Sequence, residues 1–376
     1  MSSRPLSAVV LAAGEGTRMR SARPKPLHVL CGRTMVLHVI HALADLGVGR
    51  VVVVIGHSGE QVTKAVTEDA PPGLNIEFIE QRVRRGTGDA MAVALEAFPD
   101  DDADDDVDGD DILVLPGDTP LLTSATLQAL VDAQRRTDAA AAMLTMHLPD
   151  PTGYGRVVRD RNGNVARVVE QADASDLERL IDEVNTSIYC FRRSELAPAL
   201  RRLSPQNAQG EYYLTDVLGV LHDAGYPVVS LVASDPLEAT GVNDRSQLAA
   251  VEAELRTRVN RRWMGLGVGM VDPSHTYVDV TVELAPDVTL FPGTLLVGST
   301  RVSGTARIGP HTRLVDCVVG ERAVVEQTDG RQAEIGADAR VGPFAALGPG
   351  SKVAPATVTG PFFNAGVDDE GGSAWK

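Results

Sequence analysis

The sequence predicts an α/β domain, an open sheet with helices on both faces, followed by a short β-helix of hexapeptide coils. Three observations carry that reading. Short apolar runs alternate with helical patterns up to about Leu266. Beyond Leu266 helical periodicity gives way to a beat of six residues. A glycine-rich segment, "LAAGEGTRM" from Leu11, follows the first apolar run directly, at the carboxyl edge where such sheets bind ligands.

The elements can be taken in order. "SAVVLAAG" is an apolar run ending at glycine, as a buried strand would be, and "TMVLHVIHALADLG" has helical spacing with Gly47 to close it. "RVVVVIG" is apolar throughout, the mark of a central parallel strand. "GEQVTKAVTE" reads as a helix, "NIEFIEQ" as a strand, "GTGDAMAVALEAF" as a helix and "ILVLPGD" as a further buried strand. "GRVVRDRNGNVARVVEQ" is two strand-like runs around Asn162-Gly163, a strong hairpin signal. "EVNTSIYCF" is a strand and "EYYLTDVLGVLHDAG" a helix. "DRSQLAAVEAELRTRVNRRWMGLG" is a long helix without core-like apolar density at its end, suited to connect two domains.

In the last segment Val278, Leu284, Leu290 and Leu296 are spaced by six, as are Val302, Ile308 and Leu314, and Ile335, Val341, Leu347 and Val353. Each such aliphatic points inward and small neighbours let the chain turn a corner; an ordinary antiparallel sheet would show period two. The phase slips around "DCVVGERAVVEQTDGRQAEIG", which predicts a protruding loop there.

Bulk properties exclude several function classes. The chain has 376 residues, enough for two domains, and a net charge of −16, which disfavours broad nucleic-acid binding. Much of the acid excess sits in "PDDDADDDVDGDD" at Pro99–Asp111, where like charges repel and predict a disordered surface loop. No apolar stretch is long enough to span a membrane, and "MSSRPLSAVVLAAG" has too short an apolar run for a signal peptide. Cys31, Cys190 and Cys317 lie far apart with no CxxC spacing, so a reducing compartment fits better than zinc or disulfides.

Chemistry concentrates at the first strand's exit. Gly14 and Gly16 permit close backbone approach to phosphate oxygens, and Arg18 and Lys25 bring positive charge. The segment is neither GxGxxG nor a Walker loop, and a structural turn with surface cations remains an alternative. Asp118, closing "LPGD", ends a strand beside that loop; it reads as a Mg²⁺ ligand or as a cap for a helix starting near Pro120.

The motifs "LAAGEGTRM…PKPLH", "GTGDAM", "PGDTPLL", "GYGRVVR", "EVNTSIYCF", "NAQGEYYLTD" and "GVNDRSQLA" occur in this order. Together they resemble the N-acetylglucosamine-1-phosphate uridyltransferase half of the bacterial bifunctional UDP-N-acetylglucosamine-forming enzyme, within the sugar nucleotidyltransferase superfamily. The likeness runs from about Val9 to Met264 and on into the hexapeptide region. It implies a Rossmann-like nucleotidyltransferase domain with a mixed sheet, then a short left-handed parallel β-helix. The expected boundaries are 1–242 for the first domain, 243–265 for a connecting helix, 266–360 for a truncated β-helix and 361–376 for a polar tail.

The resemblance also implies roles. Leu11, Ala12, Ala13 and Gly14 would lie along the nucleotide, with Arg18 and Lys25 as the catalytic cations on its phosphates. Gln81, Gly86 and Thr87 match the uracil-reading positions; an amide side chain and a backbone amide suit that edge. Asp118 and Asn243 match Mg²⁺ ligands. Gly117, Gly155, Glu170, Asn185 and Asn243 match contacts to the sugar phosphate. Read singly, Asn185 and Asn243 could equally be turn or cap residues and Glu170 a solvated strand residue.

The chain departs from the family's pattern in places. Asp89 stands where the family usually has histidine, and Pro116 where it has an aromatic or small polar residue. "GPFAALGPG" puts Ala346 and Gly348 at the positions of two family arginines, about five coils fit where the family needs about ten, and no histidine follows His311. The implied activity is Mg²⁺-dependent transfer from UTP to N-acetylglucosamine 1-phosphate without acetyl transfer. The protein would be cytoplasmic, a homotrimer through its β-helix, with no nucleic-acid partner and no membrane insertion. Another hexose 1-phosphate or dTTP, or a weakly catalytic UDP-sugar sensor, are the alternative readings.

Overall fold

The computed structural model describes residues 4–56, 59–98 and 110–366. The chain divides into two compact units: residues 1–28 with 34–247, and residues 29–33 with 248–376.

Unit 1 is built on a mixed sheet. Its strands are β1 (Leu6–Leu11), β2 (Arg50–Ile55), β3 (Ile76–Glu80), β4 (Asp111–Pro116), β5 (Ala141–His147), β6 (Arg156–Arg159), β7 (Val165–Val169), β8 (Glu183–Arg192) and β9 (Val228–Val232). The order is β9-β5-β8-β4-β1-β2-β3, with the β6–β7 hairpin joined through β6 to β8. β1, β2, β3 and β4 run parallel, while β8 is antiparallel to both β4 and β5.

The apolar runs of β1, β2 and β4 are continuous because both faces of the sheet are covered. Ala8, Val10, Val51, Val53, Leu113 and Leu115 enter one core, with α1 (Met35–Leu43), α2 (Gly59–Asp69) and α4 (Ser124–Thr137). Val9, Val52, Val54, Ile112 and Val114 enter the other, with α3 (Thr87–Leu95), α5 (Arg193–Leu200) and α6 (Asp216–Asp223).

Four sequence expectations change in unit 1 or at its exit. Residues 99–109 of the acidic run lie outside the described residues, but its last member, Asp111, opens β4 and is 0% exposed. It survives burial because Arg4, Gln134 and Arg135 donate to its carboxylate at 3.1, 3.1 and 2.8 Å. The helix expected from Glu211 begins only at Asp216, since Tyr212 is taken into backbone hydrogen bonds with Arg85 and Gly88. α1 ends at Leu43, before Gly47, which takes a positive φ in the turn that follows. The long helix, α7 (Arg245–Gly265), does carry apolar density at its end. Val251, Leu255, Val259 and Trp263 repeat at every fourth position and are buried, and Val259 and Trp263 join the core of unit 2.

Unit 2 is a stack of short parallel strands in three sheets of five, six and five strands, of the left-handed β-helix kind. Leu290, Leu296, Val302, Ile308 and Leu314 fill its interior, as the six-residue beat requires. The expected protruding loop is absent. Val302 pairs with Val319, Val319 with Ile335 and Leu314 with Gly330, so the phase slip is a loss of residues from corners rather than an insertion. Cys317 occupies one tightened corner, its thiol buried and its Sγ near Val315 O at 3.3 Å. All three cysteines are free and buried.

Candidate functional site

An open cleft of about 820 Å³ lies at the carboxyl ends of β1 and β4. Leu11, Ala12, Ala13, Gly14, Arg18, Lys25, Gln81, Gly86, Thr87, Gly117, Asp118, Gly155, Glu170, Asn185 and Asn243 all line it. Every site residue expected from the sequence is therefore brought to one cavity of unit 1.

The floor is a charged junction. The Lys25 ammonium donates to Asp118 Oδ2 in a close ion pair and to Asn243 Oδ1 at 2.9 Å. Arg18 Nη2 donates to the same Asn243 oxygen at 2.9 Å. Lys25 starts a short 3₁₀ turn between Pro24 and Pro26, which fixes its backbone. Gly16 is required beside it: its φ is +61°, and a Cβ there would stand 2.5 Å from Lys25 Cβ. Gly14 has open space around its Cβ position, so of the two glycines only Gly16 is dictated by packing against protein.

Asp118 is not a helix cap. α4 starts at Ser124, and Thr123 Oγ1 accepts from Thr126 N at 3.3 Å in the cap position. Nor is the Asn243 side chain a cap. Asp244 Oδ1 accepts from Gln247 N at 2.8 Å, and Gln247 Oε1 reaches back to Asn243 N at 2.7 Å. That frees the Asn243 carbonyl for the junction. Asp118 and Asn243 thus aim two hard oxygens at one cation, the Lys25 ammonium, and oxygens of this kind suit a hard divalent ion as well.

One wall is formed by the segment after β3 and the start of α3. Gln81 is anchored past β3 by its backbone N–H to Ile55 O at 2.9 Å. Gly86 has φ +107°, and a Cβ there would lie 2.5 Å from Tyr212 O. Thr87 Oγ1 accepts from Leu214 N at 3.0 Å, so its hydroxyl already holds the loop before α6.

The opposite wall comes from the β6–β7 hairpin and β8. The register of β8 on β5 shifts between Asn185 and Tyr189, and Ser187 inside the shift has φ 61°. Asn185 Oδ1 accepts from Ser187 N at 3.1 Å and from Tyr189 OH at 2.9 Å, which turns its amide N–H groups outward as donors. Glu170 is half-buried rather than solvated, and Thr215 Oγ1 donates to its Oε1 at 3.1 Å. Burial, with the nearby charges of Asp216 and Asp173, pushes its carboxyl above the ordinary value, against the Thr215 bond. At Gly155 a Cβ would stand 2.8 Å from Val168 Cγ1 and 3.4 Å from Glu170 Oε2.

Sequence reasoning singled out no individual residue in the "NAQGEYYLTD" stretch. Gln209, Glu211, Tyr213 and Thr215 line the cleft, and Arg84 pairs with Glu15 at its edge. The motif was visible, but it folds as irregular chain, so no period assigned its side chains.

Residues 8–223 match the MobA-like NTP transferase domain. Among curated relatives, the Bifunctional protein GlmU of Thermobifida fusca is 45% identical over 334 residues, 89% of this chain and 68% of its own length. The GlmU of Corynebacterium efficiens is 46% identical over 329 residues, covering 87% and 66%. The GlmU of Heliobacterium modesticaldum is 41% identical over 330 residues, covering 88% and 69%. The chain thus spans about two thirds of the length of these relatives.

Glu170 supplies a pH test of this wall. Its native carboxyl binds a proton more tightly than the unfolded chain's, so the stability of the neutral form is present at low pH. That stability is lost as pH rises through the raised native value. Glu170→Gln cannot suffer the loss, so its melting temperature gains on wild type between acid and mildly alkaline pH. A difference that stays flat with pH contradicts the assignment.

Proposed function

The chain belongs to the MobA-like NTP transferase family, among the relatives of GlmU, and from that premise we propose that it transfers uridylyl from UTP to N-acetylglucosamine 1-phosphate. The family makes it a nucleotidyltransferase; the donor and acceptor are this reading's own step. The observation that carries it is the junction of Lys25, Arg18, Asp118 and Asn243 at the exit of β1 and β4.

In this reading an oxygen of the sugar phosphate attacks the α-phosphorus of UTP, and pyrophosphate leaves on the opposite side. The attacking oxygen is already ionised, so no general base or covalent enzyme intermediate is needed. Catalysis is positioning and charge neutralisation. Lys25 and Arg18 turn to the phosphates, and the backbone of Leu11–Gly14 lies beside them. Asp118 and Asn243 would hold Mg²⁺, which supplies further neutralisation of phosphate charge. Asn185 donates to the sugar, Glu170 accepts from a hydroxyl, and the Gly155 and Gly117 backbones leave room for it.

The 376 residues are proposed to carry no acetyl transfer, since Ala346 and Gly348 offer no cations to an anionic substrate. A cytoplasmic location suits three free, buried cysteines, and no helix among the described residues is long and apolar enough to cross a membrane.

Pyrophosphate release from UTP with N-acetylglucosamine 1-phosphate and Mg²⁺ tests the reaction. Asp118→Asn should fold normally and lose at least ~10²-fold in rate, the scale of one strong electrostatic contact. Wild-type turnover in that variant across a Mg²⁺ titration would refute the metal placement.

Unit 2 is proposed to assemble as a trimer. It exposes Val271, Tyr277, Val318, Phe344, Val358 and Phe362, and the Phe344 and Phe362 rings stack 5.3 Å apart. Light scattering at micromolar concentration should report three copies; a monomer contradicts the assembly.

A further inference from the structure

The departure at position 89 meets the base wall directly. Gln81 is 5% exposed, and its amide nitrogen makes two hydrogen bonds: to Gly86 O at 3.1 Å and to Asp89 Oδ2 at 2.8 Å. Both partners are acceptors only, so the nitrogen faces them and the amide cannot be drawn the other way round. The nitrogen has two hydrogens, and both are spent. The carbonyl oxygen has no donor among the described residues, and the side chain lines the cleft. The wall therefore shows an incoming base a hydrogen-bond acceptor. Uracil carries a ring N3–H that fits it. Cytosine carries a bare N3 lone pair that repels it.

We propose that Asp89 is a specificity-determining positioning residue: its carboxylate holds the Gln81 amide with the oxygen toward the base, so that a ring N–H is accepted and cytosine refused. Asp89 sits in the first turn of α3, where a negative charge is also favoured by the helix dipole. That preference alone would not need a contact with Gln81. Gly86 O engages only one hydrogen, and a flipped amide would oppose just one neutral acceptor. With Asp89 present the flipped amide would set its oxygen against a full negative charge as well. The geometry is thus locked by Asp89.

This inference rests on the uridyl-transfer reading, and the test separates the two. Steady-state kinetics are measured with UTP and CTP for wild type, Asp89→Asn and Asp89→Leu. Wild type should prefer UTP. Asp89→Asn keeps an acceptor oxygen and should hold the UTP-over-CTP ratio of kcat/KM within about twofold. Asp89→Leu should cut that ratio by about tenfold, the worth of one net hydrogen bond. The change should come through a raised KM for UTP with kcat held, as expected for binding shared by ground and transition states. The ratio is internal to each preparation, so partial unfolding does not move it. Asp89→Ala repeats the test should the leucine fail to fold. An unchanged ratio in the leucine and alanine variants overturns the proposal and leaves uridyl transfer standing. A wild type that uses CTP as readily as UTP overturns the uridyl reading itself.

Discussion

A single ammonium ties the site of unit 1 together. Lys25 lies after β1, Asp118 at the end of β4 and Asn243 just ahead of α7, and these three meet at one nitrogen. Two hard oxygens facing each other across a cleft need a cation between them. The Lys25 ammonium is placed between them. Around that requirement the local sequence becomes readable. Gly16 is glycine because Lys25 packs against it, and Gln247 folds back so that the Asn243 side chain is spared from capping.

The same junction gives the proposed reaction its physical basis. In the proposed reaction a triphosphate would compete with Asp118 and Asn243 for Lys25 and Arg18, and what it drew away would have to be replaced by another cation. Charge balance would then couple nucleotide and metal at one point of the cleft. The two walls differ in hydrogen-bond sense rather than in charge. Gln81 turns an acceptor outward and Asn185 turns donors outward, each because the other half of its amide is already committed to the protein.

Much of this was legible in the sequence. The strands at Leu6–Leu11, Arg50–Ile55 and Asp111–Pro116 show as continuous apolar runs because both of their faces are buried. The inward aliphatics of unit 2 show as a period of six. What was missed follows from long-range causes. Asp111 looked like part of a solvated acid run, and only Arg4 and Arg135, brought from afar, make it a core residue. The turn around Tyr212 interrupts a helical pattern because backbone groups at Arg85 and Gly88 claim it. The phase slip near Cys317 had the right position but the wrong sign: residues were removed from corners, and periodicity alone cannot tell deletion from insertion. The locking of Gln81 by Asp89 was invisible for the same reason, since a departure from a motif says nothing of what it touches.

The most direct measurement is a calorimetric titration of UTP with a chelator present, so that only the chain's own cations meet the triphosphate. It should be run on wild type and on Lys25→Met. If Lys25 leaves Asp118 and Asn243 to bind the phosphates, the variant loses at least about tenfold in affinity, the scale of a charge-assisted hydrogen bond. Equal affinity for UTP in the two proteins would contradict the account, and would leave Lys25 as a structural tie between three segments and nothing more.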